Sequence, residues 1–150
     1  MNALLILSLT GVLCLMCEIF SLRKAAPALV VLGFAAAFVA NFFDWNMPAL
    51  HYNMMQVDHY SVAFSGVLTG TALLWTLLSP GFFREESSRI DHYSLVAFAA
   101  TGALVMVSYT NLLMLFLGIE ILSIPLYILA GSRKSDPASN EASVKYFLMG

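Results

Sequence analysis

The stretch NLLMLFLGIEILSIPLYILAG, residues 111–131, decides the fold class of this chain. It is long and apolar enough to cross a bilayer, because about 20 apolar residues span a hydrocarbon core of roughly 30 Å. Glu120 interrupts it about 14 to 16 Å from either end, close to the midplane. An ionised residue at the centre of a membrane helix costs about 2.5–3.5 kcal/mol on insertion scales. Glu120 must therefore be protonated, hydrated or paired with a cation.

The composition of the whole chain indicates an integral membrane protein. Of its 150 residues 60% are hydrophobic and only 11% are charged, whereas about a quarter are charged in soluble proteins. The net charge of -2 provides no basic surface, which excludes nucleic-acid binding. Cys14 and Cys17 lie in the first apolar segment without further cysteines or histidines nearby. We interpret them as buried apolar residues rather than a zinc or redox site.

Six apolar segments predict an all-α, polytopic transmembrane helix bundle that forms a single domain. Five are complete spans and the sixth is incomplete, at about 3–22, 26–44, 57–79, 91–110, 111–131 and 138–150. The first has no basic start or cleavage site, so it is a retained helix and not a signal peptide. The last extends for roughly 18 Å, too short to cross. We expect the chain to be the N-terminal portion of a longer membrane protein.

The cations predict which side of the membrane each loop faces. Six of the seven follow the first, third and fifth segments, and they are Arg23, Lys24, Arg84, Arg89, Arg133 and Lys134. By the positive-inside rule these loops are cytoplasmic and the N-terminus is external. Aromatic and histidine residues near the boundaries are assigned to interfacial belts, namely Trp45, His51, Tyr52, His59, Tyr60, His92 and Tyr93. The repeated DHYS sequences at residues 58–61 and 91–94 begin on opposite sides, which excludes a shared metal site.

The seventh cation, Lys145, lies inside the sixth segment and is the predicted partner of Glu120. The connecting loop SRKSDP is short, so the fifth and sixth segments form a hairpin of neighbours. Glu141 precedes Lys145 by four residues and competes as its partner. Small residues are expected to let the two helices approach closely, and these are Gly118, Ser123, Gly131, Ala142 and Ser143.

The residues leave two interpretations of Glu120 open. Pro125 removes a backbone donor and frees the carbonyl near Ile121, which can bend the helix or admit water beside the carboxylate. That favours a proton path in which a lysine releases its proton when it moves away from its carboxylate partner. The alternative is structural, with a static ion pair or a neutral carboxyl bonded to Ser123. Glu120 and Lys145 are the predicted proton-translocation residues and Glu141 is secondary. We predict no cofactor-binding or metal-binding residues.

The segment from residue 108 to residue 150 resembles subunit N, or subunit 2 in organelles, of proton-pumping NADH:quinone oxidoreductase, respiratory complex I. The family pattern is a span with L-F-L-G, a glutamate, a serine and P-L, followed by a short basic loop and E-A, K-Y. This chain supplies it with Leu115, Phe116, Leu117, Gly118, Glu120, Ser123, Pro125, Leu126, Glu141, Ala142, Lys145 and Tyr146. The first three segments match the family in topology.

The resemblance implies an antiporter-like subunit that translocates protons, with Glu120 in the role of the family's glutamate and Lys145 as a relaying lysine. It implies that NADH, flavin, iron–sulfur clusters and quinone are used by other subunits. Its expected partners are membrane-arm and peripheral-arm subunits, lipid and protons, in a bacterial inner membrane or, second, an organelle inner membrane. Two alternatives stay open, a subunit of a multi-subunit cation/proton antiporter and a structural membrane subunit.

Overall fold

The computed structural model describes residues 1–20, 26–46, 49–51, 53–79, 86–133 and 135–150. Within these residues the chain forms six helices and one two-stranded sheet. In chain order they are α1 (Asn2–Ile19), α2 (Ala26–Asp44), β1 (Ala49–His51), β2 (Met55–Val57), α3 (His59–Leu78), α4 (Glu86–Val107), α5 (Leu112–Ala130) and α6 (Pro137–Met149).

Five of these helices, α1 to α5, are long and apolar enough to cross a membrane. The all-α prediction of five complete spans is confirmed, and α2 has the predicted bounds of 26–44. The sixth helix has 13 residues and corresponds to the predicted incomplete segment. The helix α4 ends at Val107, three residues before the expected end at Thr110, because the chain bends at Ser108 and Thr110 and Tyr109 forms an isolated β-bridge with Met55.

Polar caps fix the starts of three helices. The carboxylate of Asp58 accepts a hydrogen bond from the Ser61 amide at 2.7 Å, and the Ser61 hydroxyl accepts one from the Asp58 amide, which forms a capping box for α3. The side chain of Asn111 caps α5. Asp136 caps α6 and Pro137 occupies its first turn. Each cap satisfies amide groups that have no partner inside the helix.

The first four helices form a closed bundle in which α1 lies against α2 and α4, and α3 lies against both α2 and α4. Its core contains fully buried apolar side chains, among them Leu7, Val30, Phe34 and Ala97. Cys14 and Cys17 are free thiols buried in this core, which confirms their predicted apolar role. The helix α5 joins the bundle through α4, and α6 lies against α5.

Hydroxyl side chains occupy the buried face of α3 at intervals that follow the helical period. They are Ser61, Ser65, Thr69 and Thr76, with Ser79 directly after the helix, and α4 adds Ser94 and Thr101, with Ser108 directly after it. Most donate to a backbone carbonyl of their own helix, as Thr69 does to Ser65 and Thr101 does to Ala97. Such bonds satisfy a polar group without an external partner, and small side chains let membrane helices approach closely.

The loop between α2 and α3 contains a β-hairpin that the sequence did not predict. Its strands pair antiparallel with Leu50 opposite Gln56, and Asn53 takes the left-handed conformation (φ 55°) that asparagine tolerates in a tight turn. The hairpin also binds the turn between α4 and α5. The Gln56 amide donates to the Ser108 carbonyl at 2.8 Å, and the Thr110 amide donates to the Met54 carbonyl at 3.1 Å. The chain therefore turns between α4 and α5 at residues 108–111.

The topology prediction depends on loop cations and boundary aromatic residues, and the structure describes only some of them. Arg23, Lys24, Arg84, Lys134 and Tyr52, together with the side chains of Arg89 and His51, lie outside the described residues. At the predicted external boundary the ring of Trp45 lies 4.9 Å from that of His59. The external position of the N-terminus stays a prediction.

Candidate functional site

Glu120 lies near the centre of α5, about 12 Å after Leu112 and about 15 Å before Ala130 at 1.5 Å per residue. Its side chain is exposed on the surface of the chain. It forms no hydrogen bond or ion pair with any residue in the described part of the chain. The carboxyl group therefore faces away from α1 to α4, at the depth where a membrane provides the least water.

Two glycines press the Glu120 region of α5 directly against α4. A Cβ atom added to Gly102 would lie 2.5 Å from the backbone nitrogen of Leu122, and one added to Gly118 would lie 2.7 Å from Cγ of Met106. The two backbones are thus in contact on both sides of Glu120 in sequence. The prediction that Gly118 serves the α6 interface is wrong, because its nearest neighbours belong to α4.

Pro125 and Ser123 shape the helix beyond Glu120. Pro125 is buried inside a helix that continues to Ala130, and it lacks the amide that would otherwise bond the Ile121 carbonyl. The Ser123 hydroxyl donates to the Ile119 carbonyl at 2.6 Å. The predicted alternative, a hydrogen bond between Ser123 and the Glu120 carboxyl, is therefore wrong in this structure.

The predicted hairpin of α5 and α6 is confirmed. The hydroxyl of Ser143 donates to the Tyr127 carbonyl at 2.8 Å, and a Cβ atom added to Gly131 would lie 2.9 Å from Ser143. The rings of Tyr127 and Tyr146 meet edge to face at 4.9 Å. Gly131 and Ser143 are at the interface as predicted, whereas Ala142 is exposed.

Lys145 is paired with Glu141 and not with Glu120. Its Nζ atom lies 2.5 Å from Oε1 of Glu141, and the two side chains are 65% and 64% exposed. Tyr146, the next residue, contacts Tyr127, which is seven residues and about 10 Å along α5 from Glu120. The structure brings together Lys145 and the rival Glu141, and it leaves Glu120 without either.

Asp44, at the end of α2, is the centre of a second polar cluster that the sequence did not indicate. Its carboxylate is 8% exposed and lies 2.5 Å from the N-terminal ammonium of Met1. It also accepts hydrogen bonds from the backbone and side-chain nitrogens of Asn2, at 3.0 and 2.8 Å. These contacts join residues more than forty positions apart, so no local sequence pattern indicates them. No group of three or more metal-ligating side chains occurs among the described residues.

A polytopic helical membrane protein with a carboxylate at the centre of one span is the class that this fold and site define. The model of the family described as NADH:quinone oxidoreductase/Mrp antiporter matches residues 109–150. The NADH-quinone oxidoreductase subunits N of Cytophaga hutchinsonii and Flavobacterium psychrophilum are 43% and 45% identical to this chain over alignments that cover all of it. The chain is therefore related along its full length to subunit N of NADH-quinone oxidoreductase, which confirms the predicted resemblance.

The similarity extends beyond the segment on which the prediction depended. It includes α1 to α3, for which only the topology was predicted to match. A chain of the respiratory complex I of Thermus thermophilus, solved with bound aureothin, superimposes with a TM-score of 0.82 at 30% identity, over 97% of this chain and 32% of that one. The present chain spans about a third of the length of the curated relatives named above.

Proposed function

We propose that this chain is part of a membrane subunit that translocates protons through an antiporter-like channel, coupled to electron transfer from NADH to quinone. The observation that carries the proposal is Glu120, a carboxyl group at the centre of a membrane-length helix without a bonding partner in the described residues. A charge at that depth is costly, and membrane-buried carboxyls commonly mark ion paths. The relatives named NADH-quinone oxidoreductase subunit N support the coupling to that reaction.

In this mechanism Glu120 gains and loses the proton at its carboxyl group. The contact of Gly102 with Gly118 holds α5 firmly against α4 and fixes the turn that carries Glu120. The cation that pairs with Glu120 comes from a neighbouring helix on the exposed face of α5. Its approach favours the ionised carboxylate, and its departure favours the protonated carboxyl.

Lys145 and Glu141 act as a relay next to the inner end of α5. In their ion pair the Glu141 carboxylate stabilises the ammonium group of Lys145. When the pair separates in a poorly hydrated environment, the ammonium loses that stabilisation and passes a proton to the next acceptor. The exposed position of both side chains gives them the freedom to separate.

The redox chemistry belongs to other subunits in this proposal. NADH, flavin, iron–sulfur clusters and quinone are bound elsewhere, and membrane-arm and peripheral-arm subunits are the partners of this chain. The five membrane-length helices and the bacterial relatives support the bacterial inner membrane as the location. The placement of six cations in alternate loops supports an external N-terminus.

The decisive experiment replaces Glu120 in the intact complex. Glu120→Gln keeps the size of the side chain and removes the exchangeable proton, whereas Glu120→Asp keeps the proton and serves as the matched control. Complexes reconstituted in vesicles are driven with NADH, and proton uptake is measured per electron transferred. We expect the glutamine variant to assemble and to lose most proton translocation, and the aspartate variant to retain part of it. Full translocation by Glu120→Gln in an assembled complex would support the structural alternative instead.

The matching family description also includes Mrp antiporters, which keeps a second function under consideration. A subunit of a multi-subunit cation/proton antiporter would use the same carboxyl group without electron transfer. Affinity purification of the full-length protein separates the two functions. Recovery of NADH-oxidising subunits supports the oxidoreductase, and recovery of only other antiporter subunits supports the exchanger.

A further inference from the structure

A small cavity lies at the end of the α1–α4 bundle that contacts the β-hairpin, away from Glu120. Its volume is about 30 Å³, and α1 to α4 and strand β2 all contribute to its wall. The residues that bring polar groups to it are Asn41, Asp44, Ser61, Ser65 and Ser108, and Met1 closes one side. Five polar side chains thus line one small space among the four helices.

Two of these residues have unsatisfied hydrogen-bonding capacity. Ser65 is only 9% exposed, and its hydroxyl has no hydrogen bond within the described residues. The buried hydroxyls of Ser61 and Ser108, by contrast, each donate to a backbone carbonyl. Asn41 is 6% exposed and donates through Nδ2 to the Val62 carbonyl at 2.6 Å, which leaves its Oδ1 atom as an acceptor. A buried polar group without a partner costs about 1–3 kcal/mol.

The size and charge of the cavity indicate which ligand can form hydrogen bonds with Ser65 and Asn41. A water molecule needs about 10–15 Å³ of such space and two to four polar partners, so the cavity has room for about two waters. A metal cation fits less well. The Asp44 carboxylate is already neutralised by the ammonium of Met1, so a second positive charge would be repelled.

We propose that this cavity binds one or two ordered water molecules that join the Ser65 hydroxyl to the Oδ1 atom of Asn41. The water accepts a hydrogen bond from the Ser65 hydroxyl and donates one to Oδ1 of Asn41, so both buried groups gain the partner that the protein does not provide. Asp44 and Ser108 are further acceptors in the same wall. The site links α2 to α3 through water, and it is independent of the proposed proton path at Glu120.

High-resolution electron cryomicroscopy of the intact complex tests the site directly. The expected result is a density peak within hydrogen-bonding distance of both Ser65 Oγ and Asn41 Oδ1. A map that resolves other buried waters and shows this cavity empty would overturn the proposal. So would a peak with the short, many-oxygen coordination of a metal ion.

Variants on one helix provide the second arm of the test. Ser65→Val removes the hydroxyl and fills part of the cavity, so we expect the peak to disappear from the map. Thr71→Val is the matched control, because it removes a hydroxyl from the exposed face of the same helix and should leave the peak in place. An unchanged peak in Ser65→Val contradicts the assignment. If that variant does not assemble, the map of the unmodified complex decides the question.

Discussion

The bundle of α1 to α4 and the hairpin of α5 and α6 use polar side chains in opposite ways. In the membrane-length stretch of α4, 56% of the residues are buried, against 11% in α5. The bundle directs polar groups inward, where Asp44, Asn41 and most buried hydroxyls of α3 bond to the protein itself. The hairpin directs Glu120, Glu141 and Lys145 outward. Polar groups in the bundle therefore stabilise the fold, and those in the hairpin are available for exchange with neighbours.

The largest expected effect concerns the contact that joins the two regions. In Gly102→Ala the new Cβ would lie 2.5 Å from a backbone atom of α5, which cannot move aside. We expect loss of most of the assembled protein from the membrane, measured by immunoblot of purified complex. Gly70→Ala is the control, because its Cβ would meet only the Phe38 ring at 3.3 Å and a ring can shift. Equal amounts of both variants would contradict a rigid contact of α4 with α5.

The next effect tests the partly buried ion pair between Asp44 and the ammonium group of Met1. Asp44→Ala leaves the Met1 ammonium and the donors of Asn2 without their acceptor. We expect a loss of about 2 kcal/mol in the free energy of unfolding, less than for a fully buried pair because the Met1 side is 37% exposed. Thermal unfolding of the purified full-length protein measures it. A loss below about 1 kcal/mol would show that the pair is solvated.

A smaller effect is expected at the cap of α3. The hydrogen bond from the Ser61 amide lowers the pKa of Asp58. The cap therefore stabilises the fold fully above the unfolded carboxyl pKa of about 3.9 and loses this contribution as the pH falls through the lower folded value. Asp58→Ala should cost about 1 kcal/mol near neutral pH.

Asp58→Asn separates the cap from its charge. Asparagine still accepts the Ser61 amide bond but does not titrate, so this variant should remain stable near neutral pH and lose the acid-dependent step. Unfolding curves measured from pH 3 to pH 7 compare the three proteins. A step that persists in Asp58→Asn would assign it to another carboxyl group.

The smallest effect on stability is expected in the hairpin. The pair of Lys145 and Glu141 is exposed and lies at i, i+4, so Lys145→Ala should change the free energy of unfolding by about 0.5 kcal/mol or less. Under the proposed function, proton translocation by the same variant should nevertheless fall, because the proposed relay would lose its lysine. Stoichiometry measured in reconstituted vesicles decides this, and an unchanged value would exclude Lys145 from the path.

Local patterns in the sequence predicted much of this structure. Apolar length predicted five spans, and the short SRKSDP loop predicted the hairpin of α5 and α6. The identity of a buried residue's partner is not local information. Gly118 contacts α4 instead of α6, and Asp44 binds the start of the chain, because both contacts depend on how distant helices come together. The four-residue spacing of Glu141 and Lys145 did indicate their pair, although Glu120 was the other possible partner of Lys145.

The β-hairpin has a mechanical consequence for α5. Hydrogen bonds from Gln56 and Thr110 tie the turn before α5 to the loop between α2 and α3, so this end of the helix is clamped. At the opposite end the hydroxyls of Ser139 and Ser143 bond α6 to α5. Because Gly102 and Gly118 also hold the middle of α5 against α4, the part of the helix from Leu112 to Glu120 is fixed at two points. Any tilt of α5 is therefore greatest beyond Pro125, where the helix lacks one backbone hydrogen bond and leads to α6.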